Sequence, residues 1–148
     1  MHYADKQRYK NMNTTTIKVL QIQLSDEMYD KVNAGEFVPE FMLKRDMGFD
    51  GSERWKPENI NAYTHVADVV VEEREEEAML NDAMAKTQDL SNYGKTVHPI
   101  LPKRKVVIDG EEHEFNNMET PSSGTVFIVN GNYYITEFVG FKKVTVSQ

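Results

Sequence analysis

The densest chemical feature of the sequence is an acidic run at residues 72–77, where five glutamates surround one arginine: Glu72, Glu73, Glu75, Glu76 and Glu77. These six residues carry a net −4 of the chain's formal −7. A dense carboxylate cluster can dock a basic partner or imitate a phosphate backbone. The alternative interpretation is a solvated helix start, because the positive end of a helix favours acidic side chains.

A second candidate for recognition is Trp55, the only tryptophan in the chain. Large aromatic side chains usually bury most of their area, so one interpretation is that Trp55 plugs the edge of the core. The other is a recognition anchor, because tryptophan is enriched at binding hot spots. The five glutamates and Trp55 are therefore the predicted partner-binding residues.

No residue pattern indicates catalysis or cofactor binding. Phosphate-loop, dinucleotide-binding, nucleophile-elbow and zinc-protease motifs are missing from the sequence. The four histidines lack the i, i+2 or i, i+4 spacing of metal ligands: His2, His65, His98 and His113. Ser122 and Ser123 have no identifiable base. We predict no catalytic residue, metal site or cofactor, although a pocket that gathers His65, His98 or His113 with carboxylates would favour a small hydrolase or nucleotide-binding protein.

Length and composition describe one acidic domain without cysteine. A chain of 148 residues has the usual size of one domain. The lack of cysteine excludes disulfides, thiolate zinc sites and cysteine nucleophiles, and it indicates a reducing compartment. With no apolar run of the roughly 18–20 residues that span a bilayer, we expect a cytoplasmic protein without a membrane partner. Nucleic-acid binders are usually basic, so we expect no nucleic-acid partner either.

The elements that must position these residues begin after a polar N-terminal arm. Residues 1–15 lack the apolar centre of a signal peptide and are expected to be flexible, with Met12 as an alternative start. A single domain is predicted at 16–148. It opens with a strand at 16–24, where apolar residues alternate with glutamines, and Ser25 then caps a short helix.

The middle of the chain is predicted to contain two more helices and a buried strand. A short helix follows Pro39, and a glycine-containing loop with Trp55 is expected at 48–57. Residues 63–71 are rich in β-branched side chains and predict a buried strand. Apolar residues at helical spacing then predict a helix at 73–87.

The last third of the chain contains two hairpin signals. A connecting segment at 95–105 is expected to be irregular because of its two prolines. Asp109-Gly110 predicts a small ribbon at 105–115, and Asn130-Gly131 predicts a hairpin at 125–141. With a final strand at 141–146, the pattern indicates an α+β domain: two or three short helices packed on a mainly antiparallel sheet that ends in a β-hairpin meander.

Residues 120–141 carry a resemblance to a known family. Thr120 and Ser122 stand for the two serines of a Ser-x-Ser-x-Gly pattern, and Gly124 stands for its glycine. An aromatic pair follows at Tyr133-Tyr134, and Gly140-Phe141 closes the segment. This arrangement resembles YodL-like proteins, uncharacterised products of tailed phages and mobile elements. Thr125 stands where that pattern has an aspartate, and Ser123 stands where it has a valine. The resemblance assigns 118–148 to a YodL-like hairpin segment and implies a phage or mobile-element accessory protein of unknown activity.

Three functional hypotheses follow from these observations. The leading one is a non-enzymatic phage accessory protein that binds a host or phage protein in the bacterial cytoplasm, to block a defence or divert a host process. A second is a small virion or assembly component that pairs with a neighbouring copy through a hairpin edge at 125–136. The third is the small hydrolase or nucleotide-binding protein described above.

Overall fold

The structure, a computed structural model, describes residues 13–148, and this range contains eight β-strands. They are β1 (Thr14–Gln21), β2 (Thr64–Glu72), β3 (Val97–Pro99), β4 (Arg104–Ile108), β5 (Glu111–Phe115), β6 (Val126–Val129), β7 (Asn132–Thr136) and β8 (Phe141–Val144). Six of them form one sheet in the order β3-β2-β1-β6-β7-β8, and all neighbouring pairs are antiparallel. β4 and β5 form a separate two-stranded ribbon.

The same residues contain three α-helices: α1 (Asp26–Asn33), α2 (Pro39–Arg54) and α3 (Glu76–Thr87). Two short 3₁₀ helices lie at Pro57–Ala62 and Leu90–Asn92. As predicted, Ser25 caps α1, and its hydroxyl accepts a hydrogen bond from the Met28 N–H. None of these helices is both long and apolar enough to cross a membrane.

Helices pack on both faces of the sheet, and β6 shows how. Phe127 and Val129 point into the cluster that contains Met79 of α3, whereas Val126 joins the cluster around Met47 of α2. Successive strand residues point to opposite faces, so the sheet lies between α3 and α2. The structure thus confirms the predicted α+β domain with a mainly antiparallel sheet and a C-terminal meander.

Helix α2 is much longer than the sequence predicts. The segment 48–57 was expected to be a loop, yet the helix continues through it to Arg54, with one non-helical residue at Asp50. Of the two glycines that indicated a loop, Gly51 is needed for packing instead. A Cβ on Gly51 would lie 2.5 Å from the Ile135 Cδ1, so glycine allows α2 to approach β7 closely.

Three other boundaries differ from prediction. β1 begins at Thr14, inside the arm predicted at 1–15, because it pairs with the full length of β2; residues 1–12, including Met12, lie outside the described residues. Residues 97–99, predicted to be irregular, form β3, where Pro99 is tolerated because it lies at an edge of the sheet. Helix α3 begins at Glu76 rather than at residue 73, because β2 continues to Glu72.

Both predicted hairpin turns are confirmed. Asp109-Gly110 and Asn130-Gly131 have positive φ angles at both residues, which a type I′ turn requires. The predicted free edge at 125–136 is wrong, however. β6 pairs with β1 and β7, and β7 pairs with β8, so neither strand of this hairpin has an unpaired edge. The assembly hypothesis therefore loses the observation on which it depended.

Candidate partner-binding site

The fold divides the acidic run into residues with different roles. Glu72 ends β2, and its Oε2 accepts a hydrogen bond from the Arg74 Nη2 at 2.7 Å. Glu76, at the first position of α3, accepts hydrogen bonds from the Asn132 Nδ2 and the Tyr134 hydroxyl, both at 2.8 Å. Glu76 therefore fastens the start of α3 to β7, so part of its acceptor capacity is already used within the chain.

These hydrogen bonds keep Glu76 ionised. The bond from Asn132, followed by the bond from Tyr134, lowers the pKa of the Glu76 carboxyl. The same contact raises the pKa of the Tyr134 phenol, since the phenol must keep its proton to donate to the carboxylate. The Glu76 carboxylate thus acts as a fixed acceptor that holds a helix to a strand.

Glu73, Glu75 and Glu77 are the exposed members of the run. Glu77 lies on the stripe of α3 that continues through Asn81 and Met84, since residues three and four apart on a helix are neighbours. The buried stripe, which contains Met79 and Leu80, faces the sheet. The accessible part of the predicted acidic surface therefore leads along α3 toward its C-terminal half.

Along that stripe, α3 forms one wall of a groove of about 460 Å³. Asn81, Met84 and Gln88 line this wall, and the opposite wall is the β7–β8 turn together with Phe141. The turn carries two strongly exposed apolar side chains: Phe138 is 74% exposed and Val139 is 92% exposed. These two exposed apolar side chains beside a groove make this surface the candidate for partner binding. We call this site the α3 groove.

The floor of the α3 groove is the loop that carries the YodL-like resemblance. Gln88 Nε2 donates to the Pro121 carbonyl at 2.9 Å, and Ser123 Oγ donates to the Gly48 carbonyl of α2 at 2.8 Å. Gly124 has a φ of +92°, and a Cβ there would lie 3.0 Å from the Gly48 nitrogen. These residues fix the position of the loop between α2 and α3, so their observed role is structural.

Trp55 lies on the other face of the sheet. Its Nε1 donates to the Thr145 carbonyl at 2.6 Å, and its ring centroid is 5.9 Å from that of Tyr63 in the cluster around Met47. Tyr63 is itself buried, which raises the pKa of its phenol, and its hydroxyl donates to the Gly124 carbonyl. Trp55 is half-buried, as expected of a plug at the core edge, and it does not form one surface with the glutamates.

Among the described residues, His65, His98 and His113 line none of the larger pockets. His65 Nε2 lies 2.7 Å from the Asp68 Oδ1, and His98 stands opposite Asp68 on β3, but no histidine lines the α3 groove. His113 lies on the exposed ribbon. Across residues 13–148, no three histidine, aspartate or glutamate side chains are arranged to hold a metal ion. The hydrolase or nucleotide-binding hypothesis therefore gains no support from these residues and stays a prediction.

Sequence reasoning missed the apolar half of the site. Met84 is more than fifty residues from Phe138 and Phe141 in sequence, and only the fold brings it beside them. One signal was present, because Phe138 and Val139 stand next to Gly140 in a turn between two strands, where polar residues are usual. No protein-family model, curated protein or solved structure matches this chain, so the site's own geometry is the basis for a function.

Proposed function

We propose that this chain is a non-enzymatic binding protein and that the α3 groove holds a segment of its partner. The observation that carries the proposal is the pair of exposed apolar residues, Phe138 and Val139, beside a groove with an apolar side chain on each wall. Solvent exposure of a large apolar side chain is unfavourable in the free protein, and a partner side chain inserted between Met84 and Phe138 would reduce the exposure of Phe138.

Charge defines the second property of the partner segment. Glu77 lies seven residues before Met84 on the same stripe of α3, which corresponds to about 10 Å along a helix. Glu73 and Glu75 extend the acidic end beyond it. The complementary segment carries an apolar anchor for the groove and a lysine or arginine about 10 Å away, which is roughly three residues in an extended chain.

The resemblance to YodL-like proteins of phages and mobile elements supports a partner from the host or the phage. We propose that this partner is a protein in the bacterial cytoplasm and that binding blocks a defence or diverts a host process. The accessible glutamates also fit a surface that imitates DNA, and we place them in the same binding site rather than in a separate one.

Selection of binders from a random peptide library tests the groove directly. We expect enriched peptides that contain a basic residue about three positions from a large apolar residue. Phe138→Ser should weaken their binding at least tenfold, because the variant removes one apolar wall of the site. The matched control is Phe37→Ser, since Phe37 is 75% exposed and lies outside the groove. Failure to enrich such peptides, or equal weakening by both variants, would contradict the proposal.

The acidic end and the cellular partner have their own tests. Peptide binding should weaken as salt is raised, and Glu75→Lys with Glu77→Lys should remove this salt dependence. In capture from bacterial lysate, the partner should bind the wild type and Phe37→Ser but not Phe138→Ser. Capture that is insensitive to Phe138→Ser would place the partner elsewhere on the molecule.

A further inference from the structure

The β4–β5 ribbon is the most exposed element of the described chain. Every residue of its two strands except Val106 is exposed, and Val107, Ile108 and Phe115 are 69%, 45% and 44% exposed. Within residues 13–148, neither strand pairs with anything except the other. A two-stranded ribbon alone is marginally stable in water, and β4 leaves apolar side chains exposed beside an edge that has no partner strand among the described residues.

The turn determines which main-chain groups of β4 point outward. A two-residue loop closes on a hydrogen-bonded pair, here Ile108 with Glu111, and hydrogen-bonded pairs alternate with non-hydrogen-bonded pairs along the strands. Val106 therefore uses its N–H and C=O inside the ribbon. Lys105 and Val107 direct theirs to the outer edge of β4, where an incoming strand can bind them.

Charge decides between the two edges of the ribbon. On the β5 edge, pairing with a second copy about His113 would place Glu112 opposite the partner's Glu114, and like charges directly opposite each other are destabilising. On the β4 edge, pairing about Val106 places Lys105 opposite the partner's Val107, with no like charges opposed. The outward groups of Lys105 and Val107 then bind each other in both copies.

We propose that the ribbon is a homodimer interface in which β4 pairs with β4 of a second copy, antiparallel and centred on Val106. The result is a four-stranded sheet in the order β5-β4-β4-β5, related by a two-fold axis. Val106 then lies beside Val106 of the second copy, and Ile108, which is 45% exposed in the single chain, lies opposite the aliphatic stem of the partner's Arg104 on the same face. The pairing is closed, as most homo-oligomers are, and it involves none of the residues of the α3 groove.

Because the chain contains no cysteine, a single introduced thiol reports the register without background. In the proposed pairing, the two Val106 residues form a non-hydrogen-bonded pair with Cα atoms about 4.5 Å apart, which suits a disulfide. Val106→Cys should therefore form a covalent dimer within minutes of mild oxidation. Val107→Cys, which lies opposite Lys105 on the other face, should form no covalent dimer under the same conditions.

A second experiment tests the edge without any thiol. The wild type should show a mass that rises with concentration toward twice 17.1 kDa in sedimentation equilibrium. Val107→Pro removes one outward N–H and leaves the hydrogen bonds inside the ribbon intact. It should therefore raise the dissociation constant of the dimer at least tenfold. Val107→Thr keeps that N–H and should dimerise like the wild type. A wild type that stays monomeric at millimolar concentration, or equal cross-linking by both cysteine variants, would overturn the proposal.

Discussion

The hairpin β6–β7 and the ribbon β4–β5 have the same kind of turn in very different surroundings. Asn130-Gly131 and Asp109-Gly110 both adopt left-handed angles, with φ values of 50° and 79° in one turn and 52° and 80° in the other. Yet β6 and β7 occupy the middle of the six-stranded sheet, whereas β4 and β5 pair only with each other within residues 13–148.

The difference between the two hairpins lies in the residues beside the turns. β6 reads Val-Phe-Ile-Val, apolar at every position, which is typical of a strand covered on both faces. β5 reads Glu-Glu-His-Glu-Phe, and four of its five side chains are polar. A turn dipeptide thus indicates that a hairpin forms, while the pattern beside it indicates whether other elements cover that hairpin.

The two hairpins should differ most in how much the free energy of unfolding falls when an aromatic side chain is removed. Phe127 of β6 is fully buried, so Phe127→Ala should lower the free energy of unfolding by about 3–5 kcal/mol. Phe115 of β5 is 44% exposed, and Phe115→Ala should lower it by less than about 1 kcal/mol. Urea denaturation at low micromolar concentration measures both values. Comparable losses would mean that the ribbon contributes to the core.

Substitution of the two turn glycines should also lower the free energy of unfolding more in β6–β7 than in the ribbon, but by a smaller margin. An alanine in a left-handed conformation costs about 1–2 kcal/mol, and that strain should appear in global unfolding only where the hairpin belongs to the core. Gly131→Ala should therefore lower the global free energy of unfolding, whereas Gly110→Ala should leave it nearly unchanged. Hydrogen exchange should instead show faster exchange confined to the ribbon in Gly110→Ala. Equal global losses would contradict the independence of the two hairpins.

Sequence patterns were sufficient for the fold class and both turns, because these depend on neighbouring residues. The cap at Ser25 and the turn at Asn130-Gly131 are complete within a few positions. The extent of α2 could not be predicted, because it depends on the fit between Gly51 and Ile135, which only the folded chain brings together. In isolation, a segment with two glycines, a serine and an aspartate indicates a loop.

The candidate site was predictable in part for the same reason. The acidic run is visible in the sequence itself. The hydrogen bonds that Asn132 and Tyr134 donate to Glu76 are not, because they depend on the position of β7 beside α3. The apolar wall of the α3 groove depends on α3, the loop at 121–123 and the β7–β8 turn together. Charge density is a property of a segment, whereas a groove is a property of the packing between segments.

The smallest effect concerns the Glu76 carboxylate, which holds β7 to α3 through hydrogen bonds from Asn132 and Tyr134. The ribbon is joined to α1 only by the more exposed and longer ion pair between Arg104 and Asp26, at 3.7 Å, among the described salt bridges. The pKa of the Glu76 carboxyl is lower in the folded protein than the usual glutamate value of 4.5. The ionised carboxylate therefore contributes its full stabilisation above pH 4.5, and this stabilisation is lost as the pH falls through the lower folded pKa. Glu76→Gln should therefore be less stable than the wild type at pH 7, and the gap should narrow toward pH 3. The control is Glu77→Gln, which removes one negative charge from a residue that does not accept the hydrogen bonds from Asn132 and Tyr134. The difference in urea midpoint between Glu77→Gln and the wild type should not change with pH in this way. A gap of equal size at both pH values would show that packing of the side chain, and not its charge, holds the hairpin to α3.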